Sequence, residues 1–327
     1  MTPPDPSRLP DARAAPASRD ASASAAVDAH AARLGVAFAL GAYLWWGFVA
    51  LYFKAIVHVP PLEVLAHRVL HLAWLLLLVL ALRGRLGALV AALRSARVWR
   101  WLLLSTALIA VNWLLFIWAV FQDQVLQASL GYYINPLLSI ALGFVVLGER
   151  LRRLQTLAVL LALLGVVQLT VTYGALPWLA LSLASSFALY GLVRKLMPVE
   201  GMVGLLCEAT LLAPIALGYL LWLDVHDRLV FAHLNLATDG LLVLGGAMTA
   251  IPLSLFLAGV RRLRLATVGL LQYIAPTLQL LLAVFAFGEA FTRAHALTFA
   301  CVWLAIALYA VDSWRATRAA AAQPRRR

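Results

Sequence analysis

The stretch Ala128-Ser129-Leu130-Gly131-Tyr132-Tyr133-Ile134-Asn135-Pro136 has a second version 140 residues later, ending Leu271-Gln272-Tyr273-Ile274-Ala275-Pro276. At the same shift Gly148-Glu149 falls on Gly288-Glu289, Leu115-Phe116 on Leu255-Phe256, and Leu130 on Leu270. A shift of 141 lays Lys54 on Lys195 and Trp46 on Phe187. Leu on Leu is a cheap match in this chain. Tyr-Ile-x-Pro and Gly-Glu at one register are not, and they divide the chain into two related halves.

The surrounding composition says what the halves are made of. Of the 327 residues 64% are apolar and 12% charged, against roughly a quarter charged in a soluble domain. A soluble fold cannot hide that much apolar surface. Ten apolar stretches, about 34–55, 61–82, 98–121, 124–148, 154–173, 176–197, 202–223, 238–260, 265–288 and 294–314, each approach the ~20 residues of a membrane-spanning helix. The expected fold is an all-α integral membrane protein with ten transmembrane helices in two inverted five-helix repeats, 34–173 and 174–314. Five crossings per half make the second half enter from the opposite side. Residues 1–33, rich in Ala, Pro, Ser, Asp and Arg, read as a disordered cytoplasmic tail, and 315–327 as a basic cytoplasmic tail. The apolar run from Leu34 is too long for a signal-peptide core.

The net charge of +12 comes from 24 Arg and two Lys against 14 acidic residues. With both termini inside, the inner segments hold 22 basic residues and the outer ones three, Lys54, Arg228 and Arg293. This asymmetry orients the chain with cytoplasmic termini and replaces nucleic acid as the explanation of the charge. Cys207 and Cys301 lie inside apolar runs and read as small buried hydrophobes.

Inverted repeats are common in transporters, because two such halves can rock about a shared site; duplication also occurs in channels and membrane enzymes. Several stretches resemble the drug/metabolite transporter superfamily and, within it, the RarD branch of the EamA-type permeases. They are Tyr43-Leu-Trp-Trp-Gly47, Pro61-Leu-Glu-Val-Leu-Ala-His-Arg68, Val111-Asn-Trp113, the stretch 128–136, Leu147-Gly-Glu-Arg150, Ser186-Phe-Ala-Leu-Tyr-Gly191, Arg194-Lys195 and Leu271-Gln-Tyr-Ile-Ala-Pro-Thr277. The resemblance covers nearly all of 34–314. It implies a ten-helix bacterial inner-membrane permease of two five-helix repeats; the branch is associated with chloramphenicol sensitivity, which names a phenotype and no substrate.

Ser129, Tyr132, Pro136 and Ser139 share one helix face, matched by Gly269, Gln272, Pro276 and Gln279 in the second half. Polar groups are costly against lipid, so these stripes are expected to face inward, where Pro136 and Pro276 bend their helices. Helix packing is the competing role of small residues there. Tyr133 and Tyr273 sit one position round. Asn112 and Asn135 are buried amides needing partners; Asn135 is expected to serve the backbone at the kink. Trp46, Trp113 and Tyr190 are candidate stacking surfaces, with a lipid-belt role as the alternative for Trp. Glu149 and Glu289 follow Gly at helix ends and are expected to cap, or to pair with Arg150 and Arg293. His67, Arg68 and Glu208 are ionisable at depth, where a charge costs about 2.5–3.5 kcal/mol. They are expected to form one ionisable centre, with Glu208 and His67 coupling protons and Glu63 orienting the imidazole. The alternative is a static pair of Glu208 with Arg68 or His67.

The expected function is alternating-access transport of a small organic metabolite or drug, driven by an ion gradient such as protons or by exchange, since no Walker-A pattern is present. The alternative is an integral-membrane enzyme acting on a lipid or isoprenoid, which clustered acidic or His residues at one face would favour. The chain is read as a non-enzyme without cofactor or metal. Its partners are a small-molecule substrate and the lipid bilayer, with a homodimer left open.

Overall fold

The computed structural model describes residues 17–148, 150–263, 267–268 and 271–322. In hydrocarbon every backbone N–H and C=O must be satisfied within the segment or its neighbours, and the described residues are accordingly helical. The elements are α1 (Ala17–Ala55), α2 (Pro61–Leu82), α3 (Leu86–Arg94), α4 (Ala96–Phe121), α5 (Val125–Leu147), α6 (Arg153–Tyr173), α7 (Trp178–Leu196), α8 (Gly201–Val225), α9 (Leu236–Val260), α10 (Ile274–Leu281) with a π-helical turn at Leu282–Ala286, and α11 (Arg293–Ala322). Among the described residues nine helices are long and apolar enough to span a membrane, and Ile274–Ala286 is a shorter apolar one. Large apolar side chains line the outside: Val145, Val171 and Phe285 are three-quarters or more exposed. That distribution suits lipid rather than water.

The helices pack in a pattern that survives exchange of the halves. α1 packs on α9 and α10; correspondingly α7 packs on α4 and α5. α2 meets α8, α5 meets α10, and α6 meets α11, each a helix touching its own counterpart. Tyr133 and Tyr273, related by the 140-residue shift, stack on each other with centroids 6.0 Å apart and planes 15° apart. Gly148 and Gly288, another related pair, both take left-handed backbone at φ 66° and 68°, which glycine adopts without steric cost. Two close approaches depend on a missing Cβ. One built on Gly131 would lie 2.6 Å from the Ala180 carbonyl oxygen of α7, and one on Gly246 2.5 Å from the His71 backbone of α2.

Four ion pairs join helix ends and connections that ten crossings put on the same face. Lys54 pairs with Asp123 at one. At the other, Arg85 reaches Glu200 at 2.5 Å, Arg261 reaches it at 3.8 Å, and Arg152 reaches Asp312 at 2.8 Å.

Three elements differ from the sequence reading. The helix begins at Ala17, so residues 17–33 are helical rather than a disordered tail; the segment is rich in Ala, the strongest helix former. Residues 1–16 lie outside the described residues, as do Glu149, Arg264, Gly269, Leu270 and the last five residues of the basic tail. The basic segment after α2 contains α3, with Leu89 and Ala92 buried. Around Pro276 the helix breaks rather than bends. Gln272 and Tyr273 form a turn and Pro276 is the third residue of α10, where a missing N–H forfeits no intrahelical bond. Pro136, in contrast, lies inside α5.

Candidate functional site

Seven helices, α1, α2, α4, α5, α7, α9 and α10, contribute walls to a cavity of about 390 Å³. This falls at the low end of the roughly 300–1,000 Å³ of ligand sites. Asn112 lies nine residues before the end of α4 and Tyr132 seven after the start of α5. At 1.5 Å per residue both are about 10–14 Å from the helix end, deep within a ~30 Å core.

The two halves line this cavity with related positions. At the 140 shift these are Ile109 and Thr249, Trp113 and Leu253, Phe116 and Phe256, Tyr132 and Gln272, Asn135 and Ala275, and Pro136 and Pro276. At 141 they are Trp46 and Phe187, and Val49 and Tyr190. Tyr43, Trp46 and Phe256 form a three-ring cluster with centroids 5.7–6.0 Å apart. Tyr132 touches Phe116 and Phe187 at 5.8 and 6.2 Å.

Polar side chains are held by neighbouring helices. The Asn112 amide donates to the Leu183 carbonyl at 3.1 Å and to Ser186 Oγ at 3.0 Å. Asn135 donates to the Ala184 carbonyl of α7 at 3.1 Å, across to a neighbour rather than to the backbone at its own kink. Gln279 donates to the Trp46 carbonyl at 3.1 Å. Arg68 lines the cavity with its Nε donating to Thr249 Oγ1 at 2.8 Å. Its guanidinium lies over Trp113 at 4.4 Å and Phe53 at 5.7 Å.

Of the residues singled out in the sequence, Trp46, Arg68, Asn112, Trp113, Tyr132, Asn135, Pro136, Tyr190, Gln272, Pro276 and Gln279 come together here. Five others do not line it. Ser139 is exposed; along α5 the cavity lining ends at Pro136. Ser129 is also held elsewhere, donating to the Pro276 carbonyl at 2.7 Å. Tyr273 is committed to Tyr133. His67 faces the α8–α9 connection, 4.6 Å from Phe231, with both ring nitrogens unpartnered among the described residues. Glu208 is buried outside the cavity but accepts from the hydroxyl of cavity-lining Tyr190 at 3.1 Å.

The expected joint centre of Glu208, His67 and Arg68 is therefore not formed. Glu208 is paired with Arg194 at 3.4 Å, and neither His67 nor Arg68 is its static partner. α2 and α8 start from opposite faces, so groups six or seven residues into each are still about 10 Å apart along the bundle axis. Glu63 does not orient His67 either: its Oε1 accepts from the Val230 and Phe231 amides at 2.9 and 3.0 Å.

Glu289 caps, but across helices. It accepts from the Val125 and Leu126 N–H groups at 2.7 and 2.8 Å, at the positive end of α5, rather than pairing with Arg293. Burial pushes its carboxyl above the usual range, against the pull of those two amides.

Thr249, Phe53 and Phe256 were missed as lining residues. Phe256 was detectable, since the repeat lays it on Phe116. Thr249 carries no motif signal.

The sequence of residues 33–171 matches the EamA-like transporter family. The chain is 43% identical over 287 residues to "Protein RarD" of Escherichia coli strain K12, covering 88% of this chain and 97% of that protein. An "Uncharacterized transporter" of Vibrio cholerae is 44% identical over 294 residues, covering 90% and 97%. The "Chloramphenicol-sensitive protein RarD" of Pseudomonas aeruginosa is 34% identical, covering 87% and 96%. A crystal structure aligns with TM-score 0.55 at 22% identity over 85% of this chain and 96% of that one, a likeness of fold.

Proposed function

Because the chain belongs to the EamA-like transporter family, on its RarD branch, we propose that it moves a small organic metabolite or drug across the bacterial inner membrane by alternating access, with both termini cytoplasmic. The observation that carries this reading is the mid-depth cavity lined by repeat-related residues of both halves. A site shared by two inverted halves is exposed to one side or the other as they rock. The break before Pro276 and the proline inside α5 give each half a discontinuity beside the site, as transporter helices often have.

Trp46, Trp113, Tyr132 and Gln272 offer ring faces and one amide to a substrate. Glu208 is the candidate proton site. It touches the cavity through Tyr190 and can exchange its ion pair with Arg194 for a proton. His67, set apart near the α8–α9 connection, is a second proton-binding group of that pathway.

The test is counterflow in proteoliposomes: a labelled metabolite mixture is trapped inside and exchange is read by mass. Gln279→Trp fills the cavity and should abolish exchange without loss of folded protein, whereas Ser139→Trp, at an exposed position, should be tolerated. Normal exchange by the Gln279 variant would show that the path lies elsewhere.

A further inference from the structure

Among the described residues Arg68 is the one charged side chain of the cavity wall, and no Asp or Glu pairs with it. A guanidinium carries five N–H donors. The protein accepts one of them, at Thr249 Oγ1, and the two terminal amino groups have no acceptor among the described residues. Trp113 and Phe53 hold the group by their ring faces. Such contacts orient a cation without neutralising it.

The other half shows what neutralisation looks like. At the 140 shift Arg68 corresponds to Glu208, and at 141 Phe53 corresponds to Arg194. Glu208 and Arg194 face each other as an ion pair; Arg68 and Phe53 face each other as cation and ring. The same locus thus holds a counter-ion in one half and an aromatic ring in the other. The half without a counter-ion is the one whose charge opens on the cavity.

We propose that this cavity binds a monoanionic organic molecule, its carboxylate on the Arg68 guanidinium and its apolar body against the rings, so that Arg68 sets the charge selectivity of transport. The inference rests on the transport reading above and names the substrate class for that same site. A carboxylate matches the fork of a guanidinium with two parallel hydrogen bonds. A cation meets a like charge with no acid in the cavity wall. A neutral ligand can accept a hydrogen bond but leaves the guanidinium charge uncompensated, and a dianion brings a second charge into an apolar chamber that offers it no partner. Across the cavity, the Tyr43, Trp46 and Phe256 cluster supplies the surface for the apolar body.

The test uses three molecules of nearly one shape: 3-phenylpropionate, its amide, and 3-phenylpropylamine. Binding to purified full-length protein is read by ligand-dependent thermal shift and by quenching of tryptophan fluorescence, since Trp46 and Trp113 line the cavity. The acid should bind, the amide about tenfold or more weaker, and the amine not at all. Arg68→Gln should weaken the acid by roughly 10- to 100-fold and leave the amide unchanged; Arg68→Lys should keep part of the preference. The ranking in unaltered protein needs neither variant to fold. Amide or amine binding as well as the acid, no binding of the acid, or acid binding unchanged in Arg68→Gln would each overturn the proposal. Counterflow separates this from the transport reading. Exchange of neutral or cationic compounds that the acid does not inhibit defeats the anion site alone. Acid binding without flux of any compound supports the site and defeats transport.

Discussion

Glu208 shows how one residue's role depends on a neighbour too small to notice. A Cβ on Gly204 would meet the Arg194 guanidinium, the movable end of that side chain, so a larger residue there would displace the ion pair from its present geometry. Glu208→Gln keeps the shape and the bond from Tyr190 but removes the proton site. Uptake by that variant should lose its pH dependence while exchange at equal pH persists; an unchanged pH profile of uphill transport would remove Glu208 from coupling. Glu63 offers a contrasting prediction, one of stability. Its Oε1 satisfies two half-buried amides, so Glu63→Gln should fold nearly normally. Glu63→Leu leaves Val230 and Phe231 unpaired at about 1–3 kcal/mol each, read as a lowered melting temperature in detergent. Depth was legible in the sequence for Glu63, His67, Arg68 and Glu208, because it follows from counting along a helix. Facing was not. His67 and Arg68 are neighbours about 100° apart on α2, and only the packing of α9 and the α8–α9 connection decides which one meets the cavity.

At the scale of elements, close approach between α2 and α9 depends on Gly246 and that between α5 and α7 on Gly131. Each new Cβ would meet backbone, which cannot swing aside. Gly246→Ala should therefore cost about 1–3 kcal/mol by overpacking, measured as thermal stability, and Gly246→Leu should leave no folded protein. The cap on α5 responds to pH. With the Glu289 carboxyl raised by burial, the folded state holds its proton more tightly than the unfolded state, so this group's contribution to stability falls as pH rises through the raised value. Glu289→Gln should flatten that part of the melting-temperature profile. The ten apolar stretches were readable because hydrocarbon thickness sets helix length. What composition could not show was where helix continues past the membrane, as at Ala17–Ala29, or where it stops inside, as before Pro276. The former accords with alanine's helix propensity, to which a search for apolar runs is blind, the latter with a proline whose carbonyl clash falls on Gln272.

For the whole molecule, the symmetry of packing and the chemistry of the cavity point the same way. The repeat was legible in Tyr-Ile-x-Pro and Gly-Glu, and it carried most lining positions with it. The departures arise where symmetry is broken: Arg68 against Glu208, and Ser139 against Gln279. Alternating access is the central claim, and side-specific labelling of the cavity tests it without knowing the substrate. Cys207 is buried and Cys301 half-buried, so both are replaced by alanine and one cysteine is placed at Met248, which lines the cavity. Arg153→Cys and Asp227→Cys serve as markers of the two faces. The account predicts that a membrane-impermeant maleimide labels the Met248 variant in both right-side-out and inverted vesicles, while each marker reacts from one side only, Arg153→Cys in inverted and Asp227→Cys in right-side-out vesicles. Labelling of the Met248 variant from a single side, or from neither, would contradict it.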